Sequence, residues 1–120
     1  MWARMRGMSG ESFQLKSGNA EGVEVLHVNG AITFSQSAAF QEAVARATAS
    51  RLILDFTNVP SLDSMAVGAL VRAYVTCNKA ARKLALVGLS RRVQNVLQLT
   101  GIEPLFETYA TVADAEQSFR

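Results

Sequence analysis

The sequence predicts an α/β domain with a mixed, mostly parallel central sheet of four to five strands and about four helices. Two observations carry this prediction. Short apolar runs typical of buried strands alternate with longer segments in which apolar residues recur every three or four positions, as on one face of a helix. The first two runs instead follow one another through a short turn-rich segment, so the sheet is expected to open with a hairpin and to continue with parallel strands.

Five apolar runs are interpreted as strands: residues 12–16, 23–28, 52–56, 84–87 and 105–106. The first two are joined by a segment rich in turn-forming residues and therefore predict a hairpin. The third and fourth are nearly continuous apolar runs, as expected for central strands covered on both faces. The fifth, Leu105 with Phe106, is short and completes the order β-β-α-β-α-β-α-β-α.

The first two predicted helices follow the second and third strands. Ser35 or Ser37 is expected to cap a helix over about 37–49, and the next helix is expected from Ser64 to about Ala81. Each segment has one apolar stripe that would face the sheet. These stripes are Phe40, Ala43, Val44 and Ala47 in the first helix, and Val67, Leu70, Val71, Tyr74 and Cys77 in the second.

The last two predicted helices also carry start signals. Ser90 is expected to cap the third helix, Gly101 to end it, and Thr111 to cap the fourth. Their expected inward-facing residues are Val93, Val96, Leu97 and Thr100, followed by Val112, Ala115 and Phe119.

The composition is typical of a single globular domain. The chain has 120 residues, of which 49% are hydrophobic and 18% are charged. Its apolar runs are too short to span a bilayer, so no membrane insertion is expected. Residues 1–10 contain basic residues with no apolar core behind them, which argues against a secretory signal. We interpret them as a flexible leader, with Met5 and Met8 as alternative starts, and residues 11–120 as the domain.

Cysteine content and charge bear on compartment and partners. Cys77 is the single cysteine, which excludes an intrachain disulfide and favours a reducing, cytoplasmic setting. The net charge of +2 is too small to indicate a nucleic-acid partner. All six charged residues between positions 72 and 92 are basic. They predict either a solvated rim or an edge that attracts an acidic protein partner. They are Arg72, Lys79, Arg82, Lys83, Arg91 and Arg92.

The candidate functional site is the junction between the third strand and the second helix, where Asp63 and Ser64 occur. Helix N-termini carry unpaired N–H groups and a partial positive charge, which favour an anion. Ser64 is therefore either an ordinary helix cap or a serine that accepts a phosphoryl group. Asp63 either orients the Ser64 hydroxyl and shapes a partner surface, or holds the loop as an Asx turn or cap. Gly68 is expected to let this helix pack closely on the sheet.

Other chemistry has little support in the sequence. No Walker or dinucleotide-binding glycine pattern occurs, so no nucleotide cofactor is expected. His27 has no second histidine and no cysteine near it, which argues against a metal site. Ser64, His27 and Asp55 could be combined into a hydrolase triad, but the G-x-S-x-G elbow is missing. The chain is therefore not expected to be an enzyme.

Four local features occur in a fixed order along the chain. They are Val28-Asn29-Gly30 before the first helix, the segment from Asn58 to Ser64, Gly68 four residues after Ser64, and the run from Leu86 to Ile102. In this order and spacing they resemble the anti-sigma factor antagonist family, whose domain is called STAS. The resemblance covers about residues 11–119 and implies the mixed α/β fold predicted above.

The resemblance implies a role for Ser64. In family members that act as switches, the matching serine is phosphorylated by an anti-sigma factor that is also a serine protein kinase. The unphosphorylated domain binds that anti-sigma factor and frees a sigma factor, and a phosphatase reverses the modification. The implied phosphoacceptor is Ser64, and the implied partner-binding loop consists of Leu62, Asp63, Ser64, Met65 and Ala66, together with Thr33.

The chain departs from the family pattern near this serine. The usual Asp-Ser-Ser/Thr-Gly reads Asp63-Ser64-Met65-Ala66, so one hydroxyl is lost and a better helix former replaces glycine. Thr33 stands where the family often has an aspartate. The alternative function is therefore a STAS module that is not phosphorylated and serves as a scaffold in a signalling assembly or as an accessory partner of a transporter.

Overall fold

The computed structural model describes residues 12–118, which contain a five-stranded sheet. The strands are Phe13–Ser17 (β1), Val23–Asn29 (β2), Arg51–Asn58 (β3), Lys83–Val87 (β4) and Glu107–Tyr109 (β5). They lie side by side in chain order, with β1 antiparallel to β2 and each later neighbouring pair parallel. The predicted hairpin and the mixed, mostly parallel sheet are confirmed. The predicted leader and Phe119 lie outside the described residues.

Four helices begin within the described residues: Phe34–Arg46 (α1), Ser64–Lys79 (α2), Arg91–Leu99 (α3) and Val112–Ser118 (α4). The first three follow β2, β3 and β4 and pack on one face of the sheet, whereas α4 follows β5 and packs on the other. Helix α1 begins earlier than predicted, after Thr33. Ser37 is not its cap, because the Ser37 hydroxyl donates to the Phe34 carbonyl at 3.1 Å inside the first turn.

The caps predicted for the last two helices are confirmed. Ser90 Oγ accepts a hydrogen bond from the Val93 N–H at 3.1 Å, and Thr111 Oγ1 accepts one from the Asp114 N–H at 3.1 Å. Helix α3 ends at Leu99, and Gly101 stops it two residues later with a φ of +77°, which lies in the left-handed region that favours glycine.

The main core lies between the sheet and helices α1, α2 and α3. Side chains alternate between the two faces along each strand, so Leu54 and Phe56 of β3 face these helices while Ile53 faces α4. Strand β3 is thus covered on both faces, as its apolar run predicts. Cys77 is also buried in the main core, where burial raises the pKa of its thiol and disfavours the reactive thiolate.

The last strand lies two residues later than predicted. Glu103–Leu105 form a 3₁₀ turn, in which Pro104 has no N–H to donate to a neighbouring strand. Phe106 is buried and packs edge-on against Tyr74, with ring centroids 5.8 Å apart. Of the two apolar residues in this predicted strand, Phe106 is thus a core residue and not a strand residue. The strand β5 is formed by the residues that follow it.

Glu116 joins α4 to the turn between β1 and β2. The residue is buried, with 5% of its surface exposed, and its Oε2 accepts a hydrogen bond from the Ala20 N–H at 2.6 Å. We expect Glu116→Ala to lower the free energy of unfolding by about 1–3 kcal/mol, because the Ala20 N–H loses its partner. Urea denaturation measures this loss. Gln117→Ala, at an exposed position of the same helix, should change little, and equal losses in both variants would contradict the assignment.

Candidate functional site

Strands β2, β3 and β4 end at the same edge of the sheet, and α1, α2 and α3 begin there; we call this the carboxyl edge. Asn58 Nδ2 donates to Asn29 Oδ1 at 2.9 Å and joins the ends of β2 and β3. The Ser90 hydroxyl donates to the Pro60 carbonyl at 3.4 Å and joins the loops that precede α2 and α3. Hydrogen bonds therefore connect the strand ends and loops of the carboxyl edge.

The residues of the implied partner-binding loop differ in exposure. Leu62 and Ala66 are buried, so they anchor the loop to the core and offer little contact surface. The other members of the set, Asp63, Ser64, Met65 and Thr33, are exposed. A partner that approaches the carboxyl edge can therefore meet these four side chains directly.

Asp63, and not Ser64, caps α2. Asp63 Oδ1 accepts a hydrogen bond from the Ala66 N–H at 2.9 Å, and Ser64 is the first residue of the helix, as predicted. The Ser64 hydroxyl makes no hydrogen bond to any described residue. The capping role that the sequence leaves open for either residue thus belongs to Asp63, and the Ser64 hydroxyl is not occupied by a structural role.

Exposed apolar side chains occur at the starts of both α1 and α2. Phe34 follows Thr33 and is 78% exposed, and Met65 follows Ser64 and is 41% exposed. Thr33 itself precedes α1 without a capping bond from its side chain, and its hydroxyl lies 3.1 Å from the Ser35 hydroxyl. Phenylalanine and methionine are enriched at surfaces that contact another protein.

A small cleft, which we call the Ser64 cleft, lies between α1 and α2. Its volume is about 120 Å³, which is too small for a cofactor-sized molecule. Gln41 Nε2 of α1 donates to the Ala69 carbonyl of α2 at 2.8 Å and joins the two helices. The cleft is lined by Ser37, Ser64, Met65, Gly68, Ala69 and Arg72.

Gly68 does not pack against the sheet, which corrects the sequence-based prediction. The residue is exposed, and a Cβ atom built on it would meet no atom within 4 Å. Its φ is not positive, so backbone geometry does not require glycine here. Glycine in a helix interior costs about 0.5–1 kcal/mol relative to alanine. Gly68 is one of the residues that line the Ser64 cleft, and a Cβ added there would lie in open space.

The basic run does not form one continuous edge. Lys83 is the first residue of β4 and lies at the end of the sheet opposite the carboxyl edge. Arg91 is the first residue of α3 and lies at the carboxyl edge. Arg82 is used internally, because its Nε donates to the Ala49 carbonyl at 2.9 Å. Arg72 is the basic residue that lines the Ser64 cleft. Its position in the sequence, eight residues or about two helical turns after Ser64, is a signal that places it on the same side of α2.

His27 and Asp55 contact each other, but Ser64 lies elsewhere. His27 Nδ1 is 2.8 Å from Asp55 Oδ2, across the β2–β3 pair. Both side chains alternate with residues of the main core and therefore lie on the α4 face of the sheet. Ser64 begins α2, which packs on the other face. The three residues do not form a catalytic triad.

Asp55 is held in its ionised form by its neighbours. Burial alone would raise the pKa of the Asp55 carboxyl, but bonds from the Thr57 hydroxyl and N–H, together with His27, hold it below the ordinary 3.8. A lowered folded-state pKa stabilises the fold above pH 3.8, and this contribution disappears as the pH falls through the folded-state value. The carboxylate is thus a structural group whose effect depends on pH.

We expect Asp55→Asn to lower the melting temperature at pH 7, because the ionised acceptor of three hydrogen bonds is lost. The difference from the unmodified chain should shrink as the pH falls below 3.8, where the native carboxyl becomes protonated. Melting curves recorded between neutral and acidic pH measure it. The exposed Asp114→Asn is the control, and a difference for Asp55→Asn that stays constant at acidic pH would count against this account.

The mixed five-stranded sheet, with three helices on one face and an exposed serine at the start of the second, defines an α/β domain of the STAS type. The chain belongs to the STAS domain family, whose sequence model matches residues 17–115. The resemblance inferred from the sequence motifs is confirmed. Among the described helices, none is both long enough and apolar enough to cross a bilayer.

A curated relative from Thermotoga maritima, provisionally named an anti-sigma factor antagonist, is 27% identical over 71 residues. The match covers 59% of this chain and 63% of the relative. The chain thus spans about three fifths of the length of the curated relatives it matches, since the corresponding share is 58% for one from Thermotoga neapolitana.

Solved structures share the fold. A crystal structure from Thermotoga maritima, also provisionally assigned as an anti-sigma factor antagonist, has a TM-score of 0.80 at 22% identity and covers 92% of this chain and 96% of that one. A sulfate transporter family protein from Wolinella succinogenes has a TM-score of 0.73 at 26% identity, and the match covers 80% of this chain and 83% of that one. Unphosphorylated SpoIIAA scores 0.69 at 22%, covering 90% and 96%, and the phosphorylated form from Bacillus scores 0.65 at 21%, covering 90% and 99%.

Proposed function

We propose that this chain is an anti-sigma factor antagonist that binds an anti-sigma factor with serine kinase activity and is switched off by phosphorylation of Ser64. The observation that carries the proposal is the Ser64 hydroxyl, exposed at the first position of α2 while Asp63 caps the helix. The names of the relatives, and the existence of SpoIIAA in phosphorylated and unphosphorylated forms, support the same role here.

In the proposed reaction, this chain is the substrate and not the enzyme. The kinase brings ATP to the carboxyl edge, and Ser64 Oγ attacks the γ-phosphorus. The new Oγ–P bond forms as the bond from phosphorus to the departing ADP oxygen breaks, and a base of the kinase takes the hydroxyl proton. The chain contributes a positioned nucleophile on a rigid helix start. A phosphatase hydrolyses the ester and restores the serine, and the expected setting is the cytoplasm.

The departures from the family motif leave the surroundings of Ser64 intact. Ala66 keeps the backbone N–H that Asp63 needs, and its methyl group is buried in the core. Met65 replaces a hydroxyl with an exposed apolar side chain, which adds to the surface that Phe34 offers on α1. Thr33 brings no negative charge to this surface. The substitutions therefore change which partner fits, while the acceptor hydroxyl stays accessible.

The phosphoryl group acts on the partner surface rather than on the fold. It adds about −1.5 to −2 charges at neutral pH. The start of α2 favours such a charge by about 0.3–1 kcal/mol, and Asp63 next to it opposes it by a similar amount. An interface that buries the charge without a partner loses several kcal/mol, which is enough to abolish a micromolar complex.

The direct test is to purify the chain from its native cells and map phosphorylation by mass spectrometry. The expected result is a phosphoryl group on Ser64 that is absent from the Ser64→Ala variant. Ser35, which is exposed at the start of α1, is an internal control for unspecific modification. A chain that stays unmodified at Ser64 through growth and stress conditions would overturn the proposal.

The second candidate function is an interaction module that is not phosphorylated. It is favoured by the likeness to a sulfate transporter family protein and by Met65 in place of a family hydroxyl. In this case the carboxyl edge binds a subunit of a signalling assembly or of a transporter without regulation at Ser64. Stable recovery of such an assembly with both Ser64→Ala and Ser64→Asp would favour this function over the first.

A further inference from the structure

We propose that Arg72 receives the phosphoryl group of modified Ser64 across the open space left by Gly68. This inference rests on the proposed modification of Ser64 and assigns the residue that responds to it. Its basis is the Ser64 cleft, which Ser64, Gly68 and Arg72 line together.

The spacing and direction of the side chains bring the two groups together. Ser64, Gly68 and Arg72 are separated by four residues each, so they follow one another along one side of α2. Helix side chains lean toward the N-terminus, over the preceding turn. The Arg72 side chain is therefore directed back over Gly68 toward Ser64. Ser64 and Arg72 lie about 12 Å apart along the axis. The long arginine side chain covers most of this separation, because the Ser64 side chain also leans toward the N-terminus. Both side chains line the same cleft of about 120 Å³.

Arg72 is available for this contact. It is exposed, it is the charged residue among those that line the cleft, and it forms no hydrogen bond or ion pair within residues 12–118. The nearby carboxylate of Asp63 already accepts the Ala66 N–H. A guanidinium group pairs with phosphate through two parallel N–H donors, which fixes the geometry as well as the charge.

Gly68 supplies the second, independent part of the argument. A Cβ atom added at position 68 would enter open space on the side of α2 that Ser64 and Arg72 share, and the structure gives no packing or backbone reason for a glycine there. An unfavourable helix residue at an exposed position is thus accounted for by the open space itself. The phosphorylated cleft holds an ion pair that offsets the repulsion from Asp63, and it withdraws Arg72 from the surface offered to the partner.

The test uses the full chain with phosphoserine incorporated genetically at position 64, so that no kinase is needed. Phosphorus NMR then measures the second pKa of the phosphoryl group, which is about 6 without a partner. We expect Arg72→Gln to raise this pKa by about half a unit or more, because a neighbouring cation favours the dianion. Arg72→Lys should restore part of the shift. Lys79→Gln, which removes the same charge from the end of the same helix, should leave the value unchanged.

Gly68→Gln gives a second measurement. Glutamine is a better helix former than glycine, so the fold should be kept, but its side chain occupies the cleft and should raise the phosphoserine pKa as Arg72→Gln does. All three proteins carry phosphoserine at position 64. Equal phosphoserine pKa values in the chain without substitutions, in Arg72→Gln and in Gly68→Gln would overturn the inference. Binding of the same phosphoprotein to its anti-sigma factor is measured separately. A complex unaffected by the phosphoryl group would refute the proposed function and not the pairing with Arg72.

Discussion

Ser64→Asp is expected to weaken binding to the anti-sigma factor at least about a hundredfold while the melting temperature stays nearly constant. The aspartate places a fixed negative charge at an exposed first helical position, where the helix start tolerates it. The fold therefore has no reason to change. An anti-sigma factor that docks on the exposed surface around Met65 and Phe34 would have to bury this charge, because the aspartate side chain is shorter than phosphoserine and lies farther from Arg72.

Calorimetric titration of the purified anti-sigma factor with each variant measures this effect. Ser50→Asp is the matched control, since it adds the same charge at an exposed position at the opposite edge of the sheet, before β3. It should bind like the unmodified chain. A folded Ser64→Asp protein with unmodified affinity would rule out regulation by charge at this position and would favour the interaction module described above.

The fold could be predicted from the sequence wherever a local pattern was consistent with only one type of secondary structure. The apolar runs of β3 and β4 are short, bounded and surrounded by helical spacing, so sheet type and element order followed from them. The start of α2 was also readable. The choice of cap was not, because Asp63 and Ser64 are both good capping residues and stand next to each other. Only the bond from the Ala66 N–H decides between them.

The orientation of α2 could not be read from its sequence. The helix has apolar residues on more than one side. The three- and four-residue spacing of Val67, Val71 and Tyr74 is therefore as consistent with a fully buried face as the spacing of the residues that the structure buries. The structure confirms Leu70 and Cys77 as buried and packs Val67 and Tyr74 partly buried against the main core. It also buries three alanines of α2 and leaves Gly68 exposed. The fully buried side chains of α2 are Ala66, Ala69, Leu70, Ala73 and Cys77.

Contacts between distant segments were the other limit. His27 meets Asp55 only because the parallel register of β2 and β3 pairs these two positions, and no local pattern contains that register. The misplaced last strand has the same origin. Phe106 contacts Tyr74 across the core, and a contact of that kind is not visible in a run of two apolar residues.

Gly88→Ala is expected to lower the free energy of unfolding by about 2–5 kcal/mol, because backbone strain and overpacking act together. Gly88 directly follows β4 and has a φ of +71°, which an L side chain adopts only with strain. An added Cβ would also press on Thr57 Oγ1 and lie 3.0 Å from the Thr57 nitrogen. Thr57 cannot move away freely, since its N–H and its hydroxyl both donate to Asp55 Oδ1.

Gly101→Ala separates the two contributions to this loss. Gly101 has a similar φ of +77°, but a Cβ added there would meet no atom within 4 Å. It should therefore carry only the backbone strain, about 1–2 kcal/mol. Urea denaturation of both variants gives the comparison, and a loss for Gly88→Ala no larger than that for Gly101→Ala would show that Thr57 yields. A larger loss would mean that Thr57 leaves no room for a side chain at position 88.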